Sequence, residues 1–493
     1  MSPTNSPPPA TLDPEDWDAF RALGHRLVDG LIDDWRRVRE RPTWRPVPDE
    51  ARTALAPDAP PPWQGQGLES ALADFDHLVR PYPTGNTSPR FLGWVHGAGT
   101  PQGAYADLLA SALNANLGGR EHAPNHVERQ VVGWFRDVFG LPGTASGLLV
   151  SGTSMATVLA LGAARHRATD GAVAERGLAE LGTRLVGYAS AEAHACAAKA
   201  FQLLGLGRTA LRAVPVDDAF RLRQDRLEAM LAEDRASGLA PFCLVATAGS
   251  VNTGAFDDIP ALADLARREG LWLHVDGAFG ALVALSDSLR HLARGIDRAD
   301  SLAFDFHKWL HVPYDAGCVL VRDGALHRAA FALPADYLRR ETRGLASGDP
   351  WFCDFGIELS RGFRALKVWL AVKEHGLTRL GSAIEANCAL ARYLGERVAS
   401  TPGLELLAPV GLNIACFRLT APGLTPEALD RLNADVVADL HESGLAAPST
   451  TRVRGRLAIR VCVCNHRATE ADMDAVLDGV LRLGRERLGS GAA

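Results

Sequence analysis

Several features that would assign a chain of 493 residues to a special class of protein are missing here. No run of about 18 apolar residues occurs, so we expect no membrane-spanning helix. Residues 1–17 are rich in proline and acidic side chains and lack the basic and apolar stretches of a secretory signal. The formal net charge of −6 argues against non-specific nucleic-acid binding. We therefore expect a cytoplasmic protein with no nucleic-acid or membrane partner.

CxxC pairs of cysteines are absent from the sequence, and lysines are scarce. The eight cysteines form no CxxC pair, which predicts reduced thiols, and no Cys/His cluster has zinc-ligand spacing, so we expect no metal. Composition bias accounts for much of the lysine shortage, but arginine cannot replace an amine that must react. A retained lysine is therefore a candidate for chemistry. Only four of the 52 basic residues are lysines, namely Lys199, Lys308, Lys367 and Lys373.

The composition, 47% apolar and 22% charged, is typical of a globular protein with a large core. We expect disorder in residues 1–15 and an amphipathic helix over 16–40. The many prolines of residues 41–66 predict an extended connector without a helix. A second helix is expected over 69–80.

From about residue 145 the pattern alternates between strand and helix, which predicts a parallel or mixed sheet covered by helices. A long helix over 362–400 and a small α+β unit follow. The expected strands of that unit are 412–419 and 456–464, with helices over 425–442 and 468–488. The seven strands expected in the main sheet are 147–150, 184–190, 209–216, 242–249, 271–279, 301–306 and 317–322.

Four features near predicted strand ends suggest chemistry, because ligands bind beyond the carboxyl ends of strands in α/β sheets. Lys308 follows one strand and can attack an aldehyde, or it is a surface lysine. Asp276 ends another strand and needs a cationic partner, unless it caps a helix. His194 can stack on a flat ring or simply pack. The junction 151–154 (SGTS) suits a phosphate but matches neither GxxxxGK[ST] nor GxGxxG.

Taken together, these features meet the needs of pyridoxal 5′-phosphate (PLP). The sequence around them resembles the fold-type I PLP enzymes, specifically the group II amino-acid decarboxylases, which act on aromatic amino acids, histidine or glutamate. HVDGAFG at 274–280 resembles the family's HVDAAYAG, and DFHKWL at 305–310 resembles NPHKWL. SPRFLGW, YASAEAHACAAKA, PFCLVATAGSVNTGAFDDI and RGFRALKVW also match, and the similarity covers about residues 15–485.

The resemblance implies an α/β fold with a mostly parallel seven-stranded sheet covered by helices. It also implies a helical N-terminal segment (16–85), a large PLP-binding domain (86–375) and a small α+β C-terminal domain (376–493). Because dimers of this family build each active site from both chains, we expect a homodimer.

The resemblance also implies residue roles. Lys308 would hold PLP covalently, Asp276 would keep the pyridine nitrogen protonated, and His194 would stack on the ring. Ala278 would pack on the opposite face, and His307 would contact the phosphate or the substrate. The reaction would be decarboxylation of an L-amino acid or amino-acid conjugate to an amine. The implied cofactor contacts are Thr153, Ser154, His194, Thr247, Asp276, Ala278, Asp305, His307 and Lys308.

One position departs from the family pattern. In these decarboxylases a mobile loop reaches across the dimer and supplies a tyrosine that protonates the substrate carbon. Counting back without gaps from RGFRALK, Phe352 replaces that tyrosine. Relatives with phenylalanine there release an aldehyde, ammonia and peroxide after reaction with O₂. An aldehyde synthase is therefore the alternative function, unless the alignment slips or Cys353, Asp354 or a water donates the proton.

A second departure concerns the substrate wall. Gly118 and Gly119 open space where related enzymes carry larger residues, and Arg120, Glu121 and His122 add polar groups. They suggest a substrate larger or more polar than tryptophan or tyrosine, unless they lie at a dimer interface. The candidate substrate contacts are Trp94, Arg120, His122 and Arg460.

Two other classes of function remain open at this stage. An aminotransferase or β-lyase could use the same fold, although the His-Lys-Trp motif is typical of the decarboxylases. A non-catalytic relative is disfavoured because Lys308, Asp276 and His194 are all present.

Overall fold

The computed structural model describes residues 11–333 and 339–490. Strands in this part of the chain are β1 (Phe91–Leu92), β2 (Ser146–Val150), β3 (Leu185–Ser190), β4 (Leu211–Val214), β5 (Ala240–Thr247), β6 (Trp272–Asp276), β7 (Ser301–Asp305), β8 (Gly317–Val321), β9 (Leu404–Leu406), β10 (Ile414–Leu419), β11 (Ala447–Val453) and β12 (Arg456–Cys462). Helices are α1 (Trp17–Arg36), α2 (Asp49–Ala54), α3 (Leu68–Leu78), α4 (Pro101–Leu113), α5 (Ala123–Val138), α6 (Thr153–Ala168), α7 (Val173–Leu181), α8 (Cys196–Leu203), α9 (Gln224–Ala236), α10 (Ile259–Glu269), α11 (Phe306–Trp309), α12 (Gly324–Phe331), α13 (Ala365–Ser400), α14 (Pro426–Glu442) and α15 (Glu470–Ser490).

The main sheet has seven strands in the order β2-β8-β7-β6-β5-β3-β4. Its strands are parallel except β8, which is antiparallel to both of its neighbours, β2 and β7. The seven strands expected from the sequence are all present, and the mostly parallel α/β sheet is confirmed. Six carboxyl ends therefore lie along one edge of the sheet, which is where such sheets bind ligands.

Apolar side chains on both faces of the sheet account for its burial. All five residues of β6 and all five of β7 are buried, as expected of central parallel strands covered on two sides. Leu149 of β2 packs toward a core that includes α5, α10 and α13, whereas its neighbours Leu148 and Val150 pack toward α6 and α8. This alternation places helices on both faces, as predicted.

The smaller sheet has five strands in the order β1-β11-β12-β10-β9, and α14 and α15 pack beside it. The strands predicted over 412–419 and 456–464 correspond to β10 and β12, and both predicted helices are present. Sequence reasoning missed β11, because its Ser449, Thr450, Thr451 and Arg452 give it little apolar alternation. β1 pairs parallel with β11, so the segment before α4 is tied to the C-terminal part of the chain.

The N-terminal region contains α1 and α3, as predicted. The expectation that residues 41–66 contain no helix is wrong, because α2 lies within them. The prolines flank this short segment, and Asp49 and Glu50 in its first turn favour a helix N-terminus. Most of the predicted disorder over 1–15 lies outside the described residues, and residues 11–15 have no regular secondary structure.

The long helix expected over 362–400 is α13, which is interrupted at Gly376, where φ is 69°. The interruption is next to the predicted limit between residues 375 and 376, but the domain limits stay predictions. Among the described residues, no helix combines the length and apolarity needed to cross a membrane.

Candidate active site

A cavity of about 450 Å³ opens at the carboxyl edge of the main sheet. Its walls come from the segments that follow β1, β2, β3, β5, β6 and β7, so distant parts of the sequence meet there. All nine predicted cofactor contacts lie together in this cavity. Its lining residues are Trp94, Val95, His96, Ser151, Gly152, Thr153, Ser154, His194, Thr247, Gly249, Val251, Asp276, Ala278, Phe279, Asp305, His307, Lys308 and Tyr314.

Lys308 lies on α11, the short helix that directly follows β7. Its Nζ is 3.0 Å from Oδ2 of Asp305. The other oxygen of Asp305 accepts a hydrogen bond from the backbone N–H of Thr153 at 2.7 Å. Burial by itself would lower the pKa of Lys308, but the carboxylates of Asp305 and Asp276 oppose it and the net pKa is raised. Asp305 thus links the amine to the first turn of α6.

Asp276 is the last residue of β6 and is 6% exposed. Its Oδ1 accepts a hydrogen bond from the Ala278 N–H at 3.1 Å, and its Oδ2 accepts one from the Cys196 thiol at 3.5 Å. No basic side chain is recorded within ion-pair distance of this carboxylate in the part of the chain that the structure describes. A buried carboxylate in this position suits a cationic group of a ligand.

The two predicted histidines lie on different sides of the cavity. His194 is in the turn between β3 and α8, where its Nδ1 accepts a hydrogen bond from the Cys196 N–H at 3.3 Å. His307 is 5% exposed, and its Nδ1 accepts a hydrogen bond from the Ala316 N–H at 3.1 Å. Burial lowers the pKa of both imidazoles, so both are mainly neutral at pH 7.

Two buried hydroxyls in the cavity have no hydrogen-bond partner, namely Thr153 Oγ1 and Thr247 Oγ1. Leaving such groups unpaired is costly, so both are suited to a polar ligand. Thr153 begins α6, whose first backbone N–H groups and dipole favour an anion. The donors at α6, the acidic group of Asp276 and the amine of Lys308 together fit the phosphate, ring nitrogen and aldehyde of PLP.

The predicted substrate contacts differ in whether they line the cavity. Trp94 lines the mouth of the cavity and is 54% exposed. Arg460 lies on β12, behind Trp94, and its Nη1 donates a hydrogen bond to the Trp94 carbonyl at 2.9 Å. Arg460 is therefore buried next to the wall of the cavity but does not line it.

Residues 118–122, the predicted substrate wall, do not line the cavity of their own chain, and their contact with substrate stays a prediction. Arg120 lies 4.2 Å from the ring centre of Trp351, and the His122 ring contacts the carbonyl of Asn116. A Cβ at Gly119 would be only 2.5 Å from Trp351, so the space predicted for substrate is filled by the chain's own loop. The same applies to Gly118, where a Cβ would be 1.9 Å from a backbone oxygen of Leu359.

Phe352 also lies outside this cavity. It is 6% exposed and packs with Leu148 and Leu159 on one face of the main sheet. The guanidinium groups of Arg361 and Arg129 lie 5.0 and 5.9 Å from its ring centre. The alignment position of Phe352 is therefore occupied by a buried core residue in this chain.

Sequence reasoning missed two titratable residues of the cavity, His96 and Tyr314. Tyr314 lies six residues after Lys308, in the loop that returns to β8, and its ring centre is 4.4 Å from that of His307. A loop that leaves and re-enters the sheet at one edge keeps its residues near that edge. The close spacing of Lys308 and Tyr314 around such a loop could have indicated this.

Comparisons with known proteins identify the family. Residues 48–420 match the model of the pyridoxal-dependent decarboxylase conserved domain. An aromatic-L-amino-acid decarboxylase from Bacillus atrophaeus is 32% identical over 475 residues, which is 95% of this chain and 96% of that protein. The crystal structure of Oryza sativa TDC with PLP and tryptamine has a TM-score of 0.88 and 26% identity, covering 97% of this chain and 100% of the other. Rhodiola rosea 4-hydroxyphenylacetaldehyde synthase has a TM-score of 0.84 and 25% identity, covering 96% and 99%.

The fold and the cavity thus define a PLP-dependent enzyme of fold type I. More narrowly, the chain belongs to the pyridoxal-dependent decarboxylase family, in the group II branch indicated by its sequence motifs. It is a PLP-dependent carboxy-lyase, and the alternatives of an aminotransferase and of a non-catalytic relative are set aside.

Proposed function

We propose that the enzyme decarboxylates an L-amino acid, or an amino-acid conjugate, and releases CO₂ and the corresponding amine. The observation that carries this proposal is the convergence of Lys308, Asp276 and His194 on one cavity with two unpaired hydroxyls. The likeness to the aromatic-L-amino-acid decarboxylase supports the reaction class. The identity of the side chain that the substrate carries is left to experiment.

The cavity residues divide the binding of PLP among them. Thr153 and Ser154, at the N-terminus of α6, would hold the phosphate, and Thr247 would donate its free hydroxyl to a ring substituent. Asp276 would pair with the protonated ring nitrogen, and Lys308 would bind the aldehyde carbon. When bound, PLP supplies an electron-accepting ring that takes up the electron pair released as CO₂ leaves.

The remaining cavity residues would orient the reacting groups. Ala278 and His194 would flank the two faces of the ring and so fix its plane in the cavity. His307 would contact the phosphate or the substrate, since it is buried beside Lys308. Asp305 would hold the Lys308 amine close to the cofactor end of the cavity. Trp94 would pack on the substrate side chain, with Arg460 positioning it through the backbone carbonyl.

The second candidate function is that of an aldehyde synthase, which would consume O₂ and release CO₂, an aldehyde, ammonia and H₂O₂. Two observations favour it. Phe352 stands where the family's loop tyrosine is expected and has no proton to donate. The structure also resembles that of a 4-hydroxyphenylacetaldehyde synthase.

We further propose that the enzyme is a homodimer of the cytoplasm. α4 exposes Tyr105, Leu108, Leu109 and Leu113, the last three at more than half of their full accessibility, which is an unusual surface for a monomer. All eight cysteines are buried free thiols, which agrees with a reducing compartment.

The decisive experiment measures CO₂, amine and H₂O₂ together, in air, over a panel of amino acids and amino-acid conjugates. Amine equal to CO₂, without peroxide, is the expected result. Peroxide equal to CO₂ would establish the aldehyde synthase instead. Lys308→Ala serves as the inactive control and should lose the visible absorbance band of bound PLP, whereas Lys373→Arg, at an exposed lysine, should keep it. No CO₂ from any substrate by PLP-loaded protein would contradict both functions.

A further inference from the structure

Tyr314 is a cavity residue that the proposed reaction does not yet use. It lines the same cavity as Lys308 and follows it by six residues. Its ring packs at 37° against the ring of His307, with the two ring centres 4.4 Å apart. It also makes an edge-to-face contact with the ring of His96, with ring centres 6.0 Å apart. These two imidazoles hold the phenol in place, while 48% of the residue remains exposed to solvent.

The surroundings of the phenol keep its proton in place at neutral pH. Burial, with the nearby Cys464 and the negative charge of Asp305, raises the pKa of Tyr314, while a hydrogen bond from the Gly97 N–H opposes the rise. Tyr314 and Lys308 line the same cavity, where the Lys308 amine is paired with Asp305. The Gly97 N–H can stabilise the phenolate once the proton has left.

The other candidate donors are poorly placed in this chain. Phe352 has no acidic proton and is buried. Asp354 is 3% exposed, is ion-paired with Arg328 and Arg340, and does not line the cavity. Cys353 is 8% exposed and does not line the cavity either. Within the cavity, the competing donors are His96, His194, His307 and Lys308, and the experiment below separates them from Tyr314.

We propose that Tyr314 is the catalytic acid that protonates the substrate carbon after CO₂ has left, so that the product is an amine. This inference rests on the proposed amine-forming decarboxylation. The bond between Cα and the carboxylate breaks, CO₂ leaves, and the electron pair returns to Cα, which takes the proton of the Tyr314 hydroxyl. Solvent then reprotonates the phenolate from the exposed side of the ring. No oxidant is consumed on this route.

The test compares Tyr314→Phe with the wild-type enzyme, both loaded with PLP. The variant keeps the ring that packs against His307 but lacks the proton. A general acid contributes about 10²–10⁴-fold, so we expect the ratio of amine to CO₂ to fall at least about tenfold, with aldehyde and H₂O₂ making up the difference. Tyr393→Phe removes a hydroxyl bonded to Asp474 in the C-terminal part and is the matched control, whose ratio should not change.

A second measurement needs no turnover. In cofactor-free protein labelled with 3-fluorotyrosine, the fluorine resonance missing from the Tyr314→Phe spectrum belongs to Tyr314. We expect it to titrate at a higher pH than free 3-fluorotyrosine. A Tyr314 resonance that titrates like the free amino acid would show a solvent-facing hydroxyl and overturn the proposal. This measurement uses the wild-type chain and remains decisive if Tyr314→Phe does not fold, because Tyr314→Trp then identifies the resonance.

The outcomes separate this inference from the proposed function. An unchanged amine-to-CO₂ ratio in Tyr314→Phe, or an equal loss of both products, contradicts the role of Tyr314 and points to a cavity histidine or to Lys308. Wild-type enzyme that releases CO₂ with equal peroxide contradicts both the inference and the amine-forming function, but leaves decarboxylation in place. Wild-type enzyme that releases no CO₂ contradicts the proposed function itself.

Discussion

Asp305 connects two parts of the cavity that the chain builds from distant segments. One oxygen accepts the Thr153 N–H at the start of α6, and the other lies 3.0 Å from the Lys308 amine. Its backbone N–H also donates to the Ala278 carbonyl. A single buried carboxylate therefore sets the distance between the proposed phosphate site and the reactive amine.

The charge of Asp305 can be removed without removing its shape. We expect Asp305→Asn to lower the pKa of Lys308, because the carboxylate is what raises it against burial. A larger share of Lys308 is then unprotonated at neutral pH, so PLP should combine with apoenzyme faster at pH 7. Stopped-flow absorbance between pH 6 and 10 measures this shift. Asp323→Asn, at a surface helix cap, is the control, and an unchanged profile in Asp305→Asn would contradict the expectation.

Buried histidines predict acid sensitivity. Burial lowers the pKa of His327 to about 4, from an ordinary value of 6.5. Between pH 6.5 and 4 the unfolded chain binds this proton more readily than the folded chain does. The contribution of neutral His327 to the free energy of unfolding is therefore fully present above pH 6.5 and is lost as the pH drops toward 4. This difference in the pKa of His327 corresponds to up to about 3 kcal/mol of the free energy of unfolding. Urea unfolding at pH 7 and pH 5 should show a smaller loss in His327→Phe than in wild type; an equal loss would rule out this histidine as a cause.

At the scale of elements, the loop that precedes α13 is fastened to the start of α5. Trp351 lies between the guanidinium groups of Arg120 and Arg340, and its indole N–H donates to the Ser347 carbonyl at 2.9 Å. Arg129 donates to the carbonyls of Gly348 and Pro350. Arg120, a predicted substrate contact, therefore also orders a loop of its own chain.

Two glycines test this packing. A Cβ at Gly119 would be 2.5 Å from the Trp351 ring, so Gly119→Ala must displace the ring and should cost about 1–3 kcal/mol. Gly133 lies within α5 with nothing within 4 Å of a Cβ, so Gly133→Ala should stabilise the protein by up to about 1 kcal/mol. Thermal unfolding of both variants checks the difference. An unchanged melting temperature in Gly119→Ala would mean that the loop does not pack on α5 in solution.

The elements that the sequence predicts well are those whose signal is local. The strands of the main sheet are apolar runs, and Lys308, Asp276 and His194 directly follow such runs. β11 and α2 were missed because their residues are polar or surrounded by prolines, and tertiary pairing decides their structure. The positions of Arg120 and Phe352 could not be predicted, because they depend on how a loop folds back over a distant helix.

At the scale of the whole molecule, the exposed apolar side of α4 predicts self-association. Leu109 is 52% exposed, and a carboxylate there would have to be buried if two copies meet at this face. We expect wild-type enzyme to have the mass of a dimer in light scattering, and Leu109→Asp to shift it toward the monomer. Leu203→Asp, on α8 and 74% exposed, should leave the mass unchanged. A dimeric Leu109→Asp would place the interface elsewhere.

The shortage of lysine also makes the proposed covalent attachment easy to locate. With the Lys308 amine reduced onto PLP by borohydride, a protease that cuts only after lysine should skip that position. Fragments 200–308 and 309–367 would then appear as one peptide, 200–367, in the mass spectrum. Since the chain has just three other lysines, the digest stays simple enough to show attachment at Lys199, Lys367 or Lys373 as plainly as at Lys308.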